Sequence, residues 1–208
     1  MTHKKEDRLG RGKLSPNLDL KRETRVYEGY LTIDELLLSH RLTNGGWSED
    51  LVRYVVERPD GVCAIVHNTD RDVCYFVRQF RAGVFNKESA WLTELAAGLV
   101  DDGEQRDDAV RREIFEELGI KAPKLQYVYR MFSSPAIISE RIHLYYVPVT
   151  DVDVVNSGGG AADEGEDVEV VAIPCYELEE LLHSDAFIDA KTICGVQYFL
   201  SIYTPKEG

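Results

Sequence analysis

Glu113, Glu116 and Glu117 fall at i, i+3 and i+4, so on a helix they share one face. Like charges at this spacing repel. Acids near a helix C-terminus also oppose the helix dipole. Each effect costs about 0.3–1 kcal/mol at a solvated surface, so a wet acidic face is one way to read them. The chemical alternative is a seat for divalent cations. Hard cations such as Mg²⁺ take carboxylate oxygens and leave the remaining positions to water or phosphate. Arg112 precedes the cluster and can pair with Glu116 at i+4, or reach Glu104 if the loop at Gly103 folds over the helix. Taken alone, such a pair is an ordinary surface ion pair of little worth.

The elements around these residues follow from the pattern. Val110, Ile114 and Leu118 form an apolar stripe at i, i+4, i+8, which predicts a helix over 106–118 ended by Gly119. Upstream, 25–33 reads as a strand, 34–41 as a short helical turn or loop, and 51–58 as a strand ending at Pro59-Asp60-Gly61. The apolar runs 62–67 and 73–80 read as a hairpin. Residues 91–100 lead into the turn Asp101-Asp102-Gly103. Downstream, 124–132, 141–149 and 168–173 read as strands, and 176–183 and 192–203 as helices. Residues 150–165, with Ser157-Gly158-Gly159-Gly160, read as a flexible acidic loop. Mixed strands with few helices predict an α/β (α+β) layered domain.

Composition sets outer bounds. The 208 residues carry 24 Lys and Arg against 37 Asp and Glu, a net charge of −13. That charge disfavours nucleic acid and anionic membrane as partners. With 44% hydrophobic and 29% charged residues, the chain matches folded globular proteins rather than disordered ones. The apolar runs are too short to cross a bilayer, and the first twenty residues do not read as a signal peptide. Cys63, Cys74, Cys175 and Cys194 show no Cys/His ligand spacing. They are expected as reduced, buried thiols in a cytoplasmic protein.

Residues 98–120 then narrow the chemistry. Gly98, Glu104, Arg112, Glu113, Glu116, Glu117 and Gly119 stand in register, with Ile114 and Ile120 at aliphatic places. This resembles the Nudix box, G-x5-E-x7-R-E-U-x-E-E-x-G-U with U aliphatic, and so many fixed positions leave little room for chance. The resemblance implies a Nudix-type α/β/α sandwich of mixed sheet. It also implies hydrolysis of a nucleoside diphosphate linked to another moiety, with Mg²⁺ or Mn²⁺ as cofactor. Carried over, Glu113, Glu116, Glu117 and the Ala97 carbonyl are the metal ligands. Arg112 orients the glutamates, and Glu104 assists from the loop.

Segments outside the box point to a branch. Glu94-Leu95-Ala96-Ala97-Gly98 resembles the E-x-x-A-G segment of ADP-ribose and nucleoside-diphosphate-sugar pyrophosphatases, with Ala96 where proline is frequent. Ser134-Pro135, followed by Glu140, is similar to their S-P-G-x-x-x-E segment, with Ala136 in place of the glycine. Arg81, and with it Arg78, would contact phosphate through guanidinium groups suited to bidentate binding. The glycine loop resembles that of GDP-mannose and UDP-glucose pyrophosphatases, which makes Glu164, or Glu166, the general base. Asp189-Ala190-Lys191-Thr192 resembles a late segment of the same enzymes, with Lys191 touching phosphate or sugar.

The polar residues 1–24 read as a mobile N-terminal segment, and the resemblance implies a small β subdomain at 25–58 that reaches across a homodimer and a Nudix domain at 59–208. Tyr27, Tyr30, Trp47 and Tyr54 would stack on a base or build that interface. The expected substrate is ADP-ribose or a nucleotide sugar, cut to a nucleoside monophosphate and a sugar phosphate. The alternatives are a nucleoside triphosphate or dinucleoside polyphosphate hydrolase, and a non-catalytic Nudix-like nucleotide-binding module.

Overall fold

The structure, a computed structural model, describes residues 15–160 and 167–204. The chain divides into two compact units: residues 1–58 with Ala136–Ser139, and Pro59–Pro135 with the remainder of the chain from Glu140.

The first unit is an antiparallel meander of β1 (Leu18–Glu28), β2 (Thr32–His40) and β3 (Leu51–Glu57). Residues 136–139 add to it through a parallel bridge from Ile138 to Val56. There the Val56 amide donates to Ile137 O at 2.7 Å and the Ser139 amide to Val56 O at 3.1 Å. Three expectations are corrected here. Residues 18–24, assigned to the mobile N-terminal segment, pair with β2. The strand expected at 25–33 is broken by a turn where the Gly29 amide donates to Leu31 O. The segment 34–41 is strand through His40 rather than helical turn or loop, and Arg41 forms an isolated bridge with Trp47. Its acids answer charges across the sheet. Asp34 lies opposite Arg25 and accepts its Nε–H at 2.9 Å, and Glu35 accepts from Arg22 at 3.0 Å and from the Tyr54 hydroxyl at 2.9 Å.

The second unit is a seven-stranded mixed sheet built on β4 (Gly61–Asn68), β5 (Val73–Phe80), β6 (Trp91–Glu94), β7 (Ala96–Leu99), β8 (Gln126–Phe132), β9 (Arg141–Val149) and β10 (Val168–Pro174). The order is β10-β5-β4-β9-β8. β6 adds to β5 and β7 adds to β4; only β4 and β9 pair in parallel. Every residue of β4 is buried, which is why it reads as an unbroken apolar run. Val62, Ala64 and Val66 face the helix α1 (Arg106–Leu118), joining Val110, Ile114 and Leu118 in one core. Cys63 and Ile65 face the other way, towards α2 (Leu178–Leu182) and α3 (Ala190–Ile202), in a second core with Leu178, Val196 and Phe199. Helices therefore cover both faces of the sheet.

Two local features position the site. At Leu95 the chain leaves β5 and joins β4, so Glu94 ends one strand while Ala97 and Gly98 pair with Cys63 and Val62 on the next. The second feature is the C-terminus of α1. Gly119 closes the helix in the left-handed conformation at φ 69°, and the glycine loop then docks on the remaining carbonyls. Val155 and Asn156 donate to Gly119 O, Gly159 to Glu117 O at 3.0 Å, and Gly160 to Glu116 O at 3.1 Å. Residues 150–165 were expected to form a flexible loop, of which 161–165 lie outside the described residues. The glycine part of the rest is tied down because helix-end carbonyls need donors. Gly158 sits at φ 64°, and a Cβ there would overlap the Glu117 carbonyl. Gly158→Ala is therefore expected to lower stability by about 1–3 kcal/mol, read as the shift of the urea midpoint at unchanged slope.

Candidate active site

The site grows from α1. Its apolar stripe holds the helix against the sheet, and this carries the glutamate face under the β7 backbone. Glu113 and Glu117 are 8% and 1% exposed, which removes the wet-face reading for both; Glu116 is half-buried. The Ala97 amide donates to Glu117 Oε2 at 2.9 Å. Gly98 must lack a side chain, since a Cβ would occupy the place of the Glu113 carboxylate. The first glycine of the box thus serves a close approach of strand to carboxylate.

Arg112 ties these groups together. Its Nε and Nη2 donate to the two oxygens of Glu104, both at 3.1 Å, in a forked pair. Nη1 donates to Glu113 at 2.8 Å and to Glu116 at 3.2 Å, and Nη2 also reaches the Leu99 carbonyl at 3.0 Å. The loop does fold over the helix, with the Asp101 amide donating to Glu104. The hydrogen bond to Glu104, then the charge of Glu113, hold the guanidinium far above its ordinary pKa despite burial. The same hydrogen bonds draw the Glu104 carboxyl below its usual value.

A second network lies at the end of β6. Glu94, almost fully buried, accepts from Arg81 Nε at 3.1 Å and Nη2 at 2.7 Å, and from Lys191 Nζ at 2.9 Å. Burial works against both cations. Glu94 outweighs it for Arg81, and Asp189 with Glu94 outweighs it for Lys191, so both are raised. Asp189 caps α3 by accepting from the Thr192 amide at 3.0 Å and hydroxyl at 2.7 Å. Thr192 Oγ1 in turn accepts the Leu95 amide at 3.0 Å, and Arg81 lies within the field of Glu117. The two networks therefore meet across Leu95–Ala97.

The expected residues divide accordingly. Glu104, Arg112, Glu113, Glu116, Glu117 and Ala97 converge, with Arg81 beside them. Lys191 is held inward by Glu94 and Asp189. Arg78 is exposed, 3.8 Å from Glu169. Pro135 and Glu140 lie between β8 and β9, where the Ser133 hydroxyl donates to Glu140 at 3.4 Å. Glu164 and Glu166 lie outside the described residues. Sequence reasoning missed Glu94 as a partner of Arg81 and Lys191, and it missed the docking of the glycine loop. The signal for Glu94 was an acid in an apolar strand, where burial demands a counter-charge.

The NUDIX domain profile matches residues 57–194, about two thirds of the chain. The chain belongs to the Nudix family. Among its relatives, the ADP-ribose pyrophosphatase of Escherichia coli K12 is 29% identical over 180 residues, covering 85% of this chain and 84% of that protein. The GDP-mannose pyrophosphatase of Escherichia coli O9:H4 is 30% identical over 148 residues, covering 70% and 76%. A crystal structure of an ADP compounds hydrolase superposes with a TM-score of 0.69 at 19% identity, covering 91% of this chain and 98% of that one. That likeness establishes a shared fold, and this Nudix chain has the mixed α+β architecture expected from its sequence. Among the described residues, no helix is long and apolar enough to cross a membrane.

The Arg112–Glu104 pair gives a pH prediction. The Glu104 pKa is depressed on folding, so its contribution to stability is present above its ordinary value of 4.5 and is lost as the pH falls through the lower folded value. Glu104→Gln is expected to flatten the loss of melting temperature between about pH 5 and pH 3.

Proposed function

We propose that this Nudix protein hydrolyses the pyrophosphate of ADP-ribose or a nucleoside diphosphate sugar, releasing a nucleoside monophosphate and a sugar phosphate, with Mg²⁺ or Mn²⁺ as cofactor. The observation that carries it is the convergence of Glu113, Glu116 and Glu117 beneath the Ala97–Gly98 backbone, two of them buried. Buried carboxylates at this density favour a counter-ion, and an all-oxygen donor set suits a hard dication. Glu113, Glu116, Glu117 and the Ala97 carbonyl would hold it. When bound, it would neutralise the diphosphate and acidify a water for attack.

The chain's own residues supply the rest. Arg112 fixes the carboxylates relative to one another and to the Leu99 carbonyl. Arg81, locked by Glu94 yet partly exposed, offers its remaining N–H groups to a phosphate, where a fork outperforms a point charge. Glu164, with Glu166 as the alternative, takes the proton of the attacking water. The docking of Gly158–Gly160 on α1 supports this role, because the general base then follows a fixed anchor at the end of the glutamate helix. Pro135, Glu140 and Arg78 belong to substrate recognition in this reading, and Lys191 acts through Glu94.

The substrate class follows the relatives, which are named for ADP-ribose and GDP-mannose. We place the protein in the cytoplasm, in keeping with its free thiols. It works as a homodimer through the first unit, whose sheet exposes Val26, Tyr27 and Tyr54 and whose β1–β2 turn carries a 92% exposed Tyr30. A panel of ADP-ribose, GDP-mannose, UDP-glucose, nucleoside triphosphates and dinucleoside polyphosphates, assayed for monophosphate release with Mg²⁺, tests the substrate. Turnover confined to the last two classes would refute it. Glu117→Gln is expected to lower kcat more than about 100-fold, ~2.7 kcal/mol, with unchanged circular dichroism. Wild-type turnover by this variant would refute the metal assignment.

A further inference from the structure

We propose that His67, Asp72 and Cys175 form a metal site for a thiophilic dication of the zinc class, separate from the glutamate helix. His67 and Asp72 are five residues apart, and Cys175 lies about a hundred residues further on, so the set shows no Cys/His ligand spacing in the sequence. His67 lies near the end of β4, Asp72 in the turn before β5, and Cys175 directly after β10. Their ligand atoms all lie within 4.8 Å of one another. A nitrogen, a sulfur and an oxygen donor are the set that Zn²⁺ accepts. Thiolate, carboxylate and neutral imidazole together carry two negative charges, so a dication leaves this largely buried site neutral.

The donors converge through a long contact between His67 and Asp72. His67 Nε2 stands 3.4 Å from Asp72 Oδ1, beyond a well-formed N–H···O bond. It matches the edge of about 3.4 Å between two ligands of a tetrahedral ion with bonds of about 2.1 Å. The outer partners already orient the donors. His67 Nδ1 meets the Tyr146 hydroxyl at 3.1 Å, the Tyr203 hydroxyl donates to Asp72 Oδ2 at 2.6 Å, and the Cys175 amide donates to Asp72 O at 3.0 Å. Phe199 packs edge-on against the His67 ring at 5.0 Å. Asp72 sits at φ 55°, and among the described residues it is the one non-glycine with positive φ. Backbone in that region is costly and persists where its surroundings fix it. Asp72 is also partly exposed, giving the site a way in and a place for water as fourth ligand.

The site is remote from the proposed catalytic carboxylates. Cys63, opposite Ala97, precedes His67 by four strand residues, roughly 13 Å. His67 also faces α3, on the opposite side of the sheet from α1. A bound ion would cross-link β4, the β4–β5 turn, β10 and, through Tyr203, the end of α3.

Cobalt distinguishes this site from the glutamates, because only sulfur ligation gives a thiolate-to-cobalt charge-transfer band. Metal-stripped protein is titrated with Co²⁺ under a phosphine reductant, which keeps Cys74 and Cys175, 3.8 Å apart, as thiols. The expected result is a band saturating at one equivalent, absent in Cys175→Ala and unchanged in Glu116→Gln. Asp72→Asn keeps the acceptor for Tyr203 and is expected to weaken binding at least about tenfold. Absence of the band, its persistence in Cys175→Ala, or wild-type affinity in Asp72→Asn overturns the proposal.

Discussion

Four carboxylates gather around the guanidinium of Arg112 and the backbone of one short strand, and the surrounding fold is arranged to tolerate that concentration of charge. Glu104 and Arg112 make a forked pair that fastens loop to helix, and the remaining N–H groups reach Glu113, Glu116 and Leu99 O. Without this tie, the acids at the end of α1 would repel one another and oppose the helix dipole. The dipole itself is countered from the other side, where amides of the glycine loop cap the carbonyls of Glu116, Glu117 and Gly119. The same residues that read as a liability in an isolated helix are thus compensated on both flanks.

The sheet supplies the rigid floor. β4 is buried along its whole length and carries a different helix layer on each face. The partner switch at Leu95 brings two strand ends together, so Glu94 and Glu117 lie on either side of one short segment. Arg81 and Lys191 answer Glu94 as Arg112 answers Glu104. These cations are oriented before any ligand arrives, so a phosphate meets fixed guanidinium groups rather than mobile ones, while the carboxylates of α1 still outnumber the one cation among them.

Much of this was legible in the sequence. The helix at 106–118 matches the structure because its stripe and its terminal glycine agree with one another. The glutamates, Arg112 and Gly98 were legible through the resemblance of 98–120 to the Nudix box, since spacing by itself also fits a wet acidic face. What escaped depended on contacts between distant residues. The segment 34–41 did not read as a strand because the partners of Asp34 and Glu35, Arg25 and Arg22, lie on the neighbouring strand. The triple glycine reads as a loose tether because nothing in a sequence says that a helix end, forty residues earlier, lacks donors. The His67–Asp72–Cys175 cluster escaped for the same reason, being assembled by sheet pairing.

The central claim is that the glutamate face of α1 is a seat for dications. Its most direct measurement is anomalous diffraction at the manganese edge from crystals grown with Mn²⁺ and a non-hydrolysable ADP-ribose analogue. The account predicts a peak within bonding distance of carboxylates from Glu113, Glu116 and Glu117. Crystals with the nucleotide bound, no peak there, and those side chains turned to solvent would contradict it.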